Sequence, residues 1–158
     1  MRKIFSLALF ALAITTTVSA WGADNSLGTW KANIAKCKYT PAPWPVKSLT
    51  VTREAAPGGV KVTDTGMRTD GSAINASYTA KYDGSSSEVT GEGSPYDSIS
   101  VKQRDANSFT YEAKNSKTKY RASGRIVISG DGKTMTAKAS GVDADGKPMT
   151  LKLVYDKQ

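Results

Sequence analysis

The sequence is 158 residues long, which suits a single domain, and it carries a formal net charge of +8 with no histidine. The absence of histidine excludes Ser-His-Asp and Cys-His catalysis and the usual zinc sites. The positive charge is scattered along the chain without a recognition motif. We therefore expect no nucleic-acid partner, and at most a weak contact with an anionic envelope surface.

The first twenty residues have the three parts of a secretory signal peptide. A basic pair at residues 2–3 precedes an uncharged apolar stretch at residues 4–14, and small residues follow at 18–20. The apolar stretch is shorter than the roughly 20 residues that a membrane-spanning helix needs, although an uncleaved anchor is the alternative. We expect cleavage after Ala20 and a periplasmic or secreted product over residues 21–158.

Cys37 is the one cysteine of the sequence, so the chain cannot form an internal disulfide. We expect its thiol to be buried, because free cysteine packs as a small apolar residue. The alternative is a disulfide between two chains.

The stretch at residues 41–45 reads Pro-Ala-Pro-Trp-Pro. Because proline lacks an N–H donor, this stretch cannot lie inside a sheet. We predict an extended strap between the first strand and the rest of the domain. A surface for a protein partner is the alternative.

Alternation of apolar and polar residues, which is typical of half-buried β-strands, dominates the chain beyond the strap. Residues 74–82 are the clearest example, and turn signals such as Asp70-Gly71 and Asp145-Gly146 separate the strands. We predict an all-β, monomeric domain, an antiparallel meander of eight or nine strands over residues 28–155. Closure into a barrel, or folding into a sandwich, would leave fewer strand edges unpaired.

The segment at residues 143–146, Asp-Ala-Asp-Gly, has the alternating carboxylates of a calcium loop. Lys147 and Met149 stand where later oxygen ligands would be needed. A hairpin turn is the better interpretation, and we expect neither a metal nor a cofactor.

The inward face that alternation predicts combines tyrosines with very small residues. Its members are Tyr78, Tyr82, Tyr111, Tyr120 and Tyr155, with Ala80, Ala122 and Ala137 providing room. A barrel of about eight strands is just wide enough to be filled by side chains or to hold one small ligand. We predict that these eight residues line a site for a small neutral or amphiphilic molecule, with no charged side chain among them.

The alternative is a structural or interaction protein of the envelope with a filled core. A cavity of about 300 Å³ or more would favour the binding protein, because ligand pockets start near that size. A packed interior would favour the envelope protein. We do not expect an enzyme, since no catalytic motif accompanies the serines and lysines.

The segment Gly28-Thr29-Trp30 resembles the Gly-x-Trp opening of the lipocalins and related calycin barrels. In that family the tryptophan packs across the closed end of the barrel, beside a basic side chain from a late strand. The resemblance implies structural roles for Gly28 and Trp30, with Arg125 as the late-strand partner of Trp30.

Nearly the whole chain after residue 20 also resembles a group of small, secreted, functionally uncharacterised proteins of soil bacteria. The resemblance is carried by Gly-Thr-Trp-Lys at residues 28–31, Lys-Cys-Lys-Tyr at 36–39, the proline-rich stretch, and Val-Tyr-Asp-Lys-Gln at 154–158. It implies an exported, lipocalin-like barrel and no particular activity.

Overall fold

The computed structural model describes residues 24–158. The predicted signal peptide, residues 1–20, and its cleavage site lie outside the described residues. The described part contains a short 3-10 helix, Ile34–Lys36, and twelve strands. The strands are β1 Gly28–Ala32, β2 Lys38–Thr40, β3 Val46–Ala56, β4 Gly59–Arg68, β5 Ala73–Lys81, β6 Asp83–Glu88, β7 Thr90–Glu92, β8 Ser98–Asp105, β9 Ser108–Lys114, β10 Arg121–Ile128, β11 Thr134–Val142 and β12 Pro148–Lys157. Over residues 24–158, no helix has the length and apolar character needed to cross a bilayer.

The strands form one antiparallel sheet in the order β6-β8-β9-β10-β11-β12-β1-β3-β4-β5-β7, with β2 paired to β12. Strand β1 lies between β12 and β3, so the first and last strands of the described chain are neighbours. The two ends of the sheet meet where β5 packs against β6, while β6 pairs with β8 and β7 with β5. The sheet is therefore a nearly closed barrel.

The prediction of an all-β antiparallel barrel is confirmed, and the prediction of eight or nine strands was wrong. The additional short strands are β2, β6 and β7. The segment over β6 and β7 is rich in serine and glycine and has no apolar alternation. Its strands form through backbone pairing with β8 and β5, which hydrophobic periodicity does not report.

Trp30 closes one end of the barrel and is completely buried. Its indole N–H donates a hydrogen bond to the backbone carbonyl of Ser26 at 3.0 Å, and the Lys157 Nζ lies 5.0 Å from its ring centroid. Gly28 precedes it with a φ of +115°, and a Cβ there would lie 3.0 Å from the Lys157 Cε. The chain thus enters the barrel through a backbone conformation that glycine adopts readily.

The basic neighbour of Trp30 is Lys157, and the prediction of Arg125 was wrong. Lys157 stands directly opposite Trp30 in the β1–β12 register. Arg125 is on the outer face of β10, where its side chain is 58% exposed and lies 3.8 Å from the Asp105 carboxylate. The reason is alternation along β10, since the neighbours of Arg125, Gly124 and Ile126, occupy the inward positions.

The proline-rich strap at residues 41–45 joins β2 to β3 outside the strands. Its Trp44 is partly buried and packs against the core. Cys37 is also partly buried, and its Sγ accepts a hydrogen bond from the Val154 backbone N–H at 3.4 Å. Burial raises the pKa of this thiol above its ordinary value.

Candidate functional site

The barrel interior contains a cavity of about 210 Å³. It extends from the strap, at Trp44 and Pro45, down to Arg53 and Tyr155 near the closed end. Its aromatic lining consists of Tyr39, Trp44, Tyr78, Tyr96, Tyr111, Tyr120 and Tyr155. Aliphatic and methionine side chains from β3, β4, β5, β8 and β10–β12 complete the wall, so the cavity is mainly apolar.

Five of the eight predicted lining residues border this cavity. They are Tyr78, Tyr111, Tyr120, Tyr155 and Ala137. Burial raises the pKa of each of these four phenols, to about 12 for Tyr120. All four hydroxyls therefore stay neutral at physiological pH and remain hydrogen-bond donors.

The other three predicted residues, Tyr82, Ala80 and Ala122, lie outside the cavity, so assigning them to its lining was wrong. Tyr82 follows β5 at the closed end, and its ring centroid is 4.9 Å from that of Phe109. Ala80 is buried opposite Val60. Ala122 is buried in the wall and borders a separate depression. Alternation assigns residues to a face but not to a height along the barrel, which explains these three errors.

The separate depression has a volume of about 410 Å³ and lies in the wall formed by β6 and β8–β11. Serine and charged side chains dominate its lining, among them Ser86, Ser98 and Glu112. Ser86 and Ser98 hydrogen-bond to each other at 2.7 Å. Because Ser86 and Glu112 are exposed to solvent, the mainly apolar interior cavity is the better candidate site.

Three aromatic side chains of the cavity come from segments that the sequence did not place in the interior. Tyr39 is on the short strand β2, Trp44 on the strap, and Tyr96 in the loop before β8. The Tyr96 and Tyr120 rings stack with centroids 6.2 Å apart. Near the same end Arg68 donates a hydrogen bond to the Gly93 carbonyl and so ties this loop to β4.

The cavity also contains charged groups, contrary to the prediction that its lining would be uncharged. In the β3–β4 register Arg53 stands opposite Val62, and Asp64 stands opposite Val51. Both charged side chains therefore project to the inner face and line the cavity. The prediction failed because it ended the two strands with their apolar residues, whereas β3 and β4 continue beyond them.

Arg53 is only 4% exposed. Its Nη2 donates a long hydrogen bond of 3.4 Å to the Tyr82 hydroxyl, and its guanidinium carbon lies 5.6 Å from the Phe109 ring centroid. Its Nε has no hydrogen-bond partner in the described structure. A buried ionised group is normally paired, so this guanidinium is poorly satisfied.

Asp64 is partly buried beside the same cavity. Burial raises the pKa of its carboxyl to about 6, and the positive charge of Arg53 limits that rise. The two groups form no direct ion pair, because the one ion pair within 4.0 Å over residues 24–158 joins Arg125 to Asp105. The cavity floor thus carries separated positive and negative charges.

The segment at residues 143–146, which resembles a calcium loop in sequence, is part of a hairpin turn. The Asp143 carboxylate accepts hydrogen bonds from the backbone N–H groups of Asp145 and Lys147, at 3.0 and 2.9 Å, within the hairpin turn. Within residues 24–158, no group of three or more His, Cys, Asp or Glu side chains is arranged to hold a metal ion.

Neither a protein-family model nor a curated protein matches this chain. Among solved structures, the chain is similar to a redesigned β-barrel, mFAP1, bound to DFHBI. The TM-score is 0.40 and the identity 16%, over 82% of this chain and 94% of that chain. A likeness at this level carries no argument about function. The chain's own structure defines the class, which is an antiparallel, nearly closed β-barrel with an internal cavity.

Proposed function

We propose that this chain is an exported binding protein that holds one small amphiphilic molecule inside its barrel. The observation that carries the proposal is the interior cavity, which has a tyrosine-rich wall and a polar floor at Arg53 and Asp64. Small-molecule sites combine a mainly apolar lining with a few placed polar groups. Tyrosines add large, rigid contact surfaces with hydroxyl donors.

The cavity volume limits the size of the guest. The value of about 210 Å³ lies below the 300 Å³ or so at which pockets for drug-sized ligands begin. It exceeds the roughly 150 Å³ of an engineered apolar cavity that binds benzene. We therefore propose a guest of about one aromatic ring with a short polar substituent.

The proposal also covers the cellular location of the protein, its oligomeric state and whether it converts its guest. Export rests on the signal-peptide pattern at residues 1–20 and on the resemblance to small secreted proteins. We propose a monomer that binds its guest without converting it, in the periplasm or outside the cell.

The alternative, a structural or interaction protein of the envelope, is supported by exposed lysines on the outer strand faces, such as Lys102, Lys138 and Lys152. Co-sedimentation with anionic lipid vesicles would test that alternative.

Binding in the interior is tested by calorimetric titration with a neutral one-ring probe, 3-phenylpropan-1-ol. We expect saturable binding at one site. Ala137→Leu, which fills the cavity, should weaken the binding at least tenfold. Lys138→Leu is the matched control, because the next residue of the same strand is exposed on the outer face. Absence of binding by the parent protein, or equal weakening in both variants, would contradict the proposal.

A further inference from the structure

We infer that the guest of this cavity is a small aromatic carboxylic acid whose carboxylate binds the guanidinium of Arg53 at the cavity floor. This inference rests on the proposed function and adds the chemical class of the ligand. The sequence analysis predicted a neutral or amphiphilic guest because it placed no charged side chain among the lining residues. Arg53 lies on the inner face and supplies a basic side chain to which an anionic guest can bind.

Arg53 has few hydrogen-bond partners for its donors. A guanidinium has five N–H donors, yet in the described structure Arg53 makes a single side-chain hydrogen bond, of 3.4 Å, to the Tyr82 hydroxyl. The residue is 4% exposed, so most of its donors are shielded from bulk solvent. A carboxylate can accept two parallel hydrogen bonds from one guanidinium and is therefore the complementary group.

The charged side chains that line the cavity include more cations than anions. Arg53 and Arg68 both line it, against the single carboxylate of Asp64. No ion pair within 4.0 Å neutralises Arg53 in the described part of the chain. A cationic guest would meet the buried guanidinium, and a purely apolar guest would leave it unpaired. An anion is therefore the charge type that the floor accommodates best.

Protonation of Asp64 removes the negative charge that would repel this anion. Its carboxyl faces Arg53 from β3, Tyr78 from β5, Tyr96 from the loop before β8 and Tyr155 from β12. The three phenols are neutral, because burial raises their pKa values. Since burial already raises the pKa of Asp64 to about 6, an incoming carboxylate would raise it further. With Asp64 protonated and therefore neutral, the two charges at the cavity floor are the Arg53 guanidinium and the carboxylate of the guest.

The cavity has the size and the aromatic wall that suit a guest with one ring. The wall above the floor is formed by the rings of Tyr78, Tyr111 and Tyr155, and the volume suits one guest ring. Offset or edge-to-face contacts between rings are favourable beyond the area that they bury. An aromatic acid therefore fits the wall and the floor together.

The experiment is a calorimetric titration near neutral pH with three probes of matched size: 3-phenylpropionate, 3-phenylpropionamide and 3-phenylpropan-1-ol. We expect the acid to bind at least about tenfold more tightly than the amide, since hydrogen bonds to charged groups are the stronger ones. Arg53→Gln should remove that preference and change amide affinity less than about threefold. Arg125→Gln, which alters an exposed arginine, should leave the preference intact.

The probes separate failure of this inference from failure of the proposed function. If the amide and the alcohol bind and the acid binds no better, the ligand class is overturned and interior binding stands. If none of the three binds, both are overturned. A preference for the acid that survives Arg53→Gln would also contradict the inference. If that variant does not fold, the acid-to-amide ratio of the parent protein still decides.

Discussion

Arg53 and Asp64 lie diagonally across the inner face of β3 and β4, each opposite a valine of the neighbouring strand. The valines, Val62 and Val51, are buried in the core. Two charged side chains are thus held within an apolar wall without an ion pair between them. This arrangement costs folding free energy, since a buried charge is stable only when it is well paired. A ligand that pairs with Arg53 would recover part of that cost.

The first prediction concerns the dependence of stability on pH. Asp64 has a folded-state pKa of about 6, above the ordinary value of 3.8 that it has in an unfolded chain. The contribution of Asp64 to the free energy of unfolding is therefore fully present below the pKa that Asp64 has in the unfolded chain. This contribution is lost as the pH rises through about 6. Asp64→Asn should gain stability relative to the parent between pH 4 and pH 7.5, by on the order of 1 to 3 kcal/mol. Urea unfolding of both proteins across this range measures the difference, and a constant difference would refute the assignment.

Binding of the acid should depend on pH for the same reason. When the pH is lowered from about 7.5 to about 5.5, 3-phenylpropionate stays ionised while Asp64 becomes protonated. The affinity of the protein for 3-phenylpropionate should therefore rise severalfold. The amide should show no such rise. Asp64→Asn should abolish the dependence and bind the acid at the higher pH as tightly as the parent does at the lower pH. The chain contains no histidine that could produce the same profile. Equal pH profiles for the acid and the amide would count against this coupling.

Trp30 and Trp44 should differ sharply in their importance for folding. Trp30 is completely buried at the closed end, and truncation of such a residue typically costs roughly 3–5 kcal/mol. Trp44 is partly buried on the strap, so Trp44→Ala should cost less than about 1.5 kcal/mol and should weaken probe binding. Denaturant unfolding measured by circular dichroism compares the two variants. Similar losses for both would show that Trp30 does not close the barrel.

Lys157 and Arg125 provide a matched pair for the contact at the closed end. The Lys157 Nζ lies 5.0 Å from the Trp30 ring centroid, so Lys157→Gln should cost about 0.5–1 kcal/mol and change the Trp30 fluorescence. Arg125→Gln removes an exposed ion pair and a hydrogen bond to the Ser108 Oγ, so it should cost about 0.5–1.5 kcal/mol with no change in fluorescence. A fluorescence change for Arg125→Gln, with none for Lys157→Gln, would restore Arg125 as the partner of Trp30.

Hydrophobic alternation was sufficient to predict the barrel and four of its seven aromatic lining residues, because each long strand carries one apolar face. It could not predict β6 and β7, whose serine-rich sequences pair through the backbone. It also missed Tyr39, Trp44 and Tyr96, because a loop or strap folded over a barrel end has no periodicity. These contributions depend on tertiary packing, which a single sequence does not encode locally.

The charged floor was missed for a different reason. Thr52 and Thr63 keep the alternation running from Val51 to Arg53 and from Val62 to Asp64, so both inward positions follow from register alone. From the sequence alone, a charged residue at such a position is interpreted as the end of the strand. Extending the alternation two residues past the last apolar side chain would have found both groups.

The most direct test of interior recognition is ¹H–¹⁵N NMR of the arginine side-chain Nε–H groups during titration with 3-phenylpropionate. We expect a large, saturable shift of the Arg53 Nε–H resonance, since this buried donor has no partner in the described structure. Backbone shifts should accompany it at the inward positions of β3 and β4. The exposed Arg125 resonance should not move. Shifts confined to Arg125 and the outer strand faces, with the Arg53 resonance unchanged, would contradict a ligand site inside the barrel.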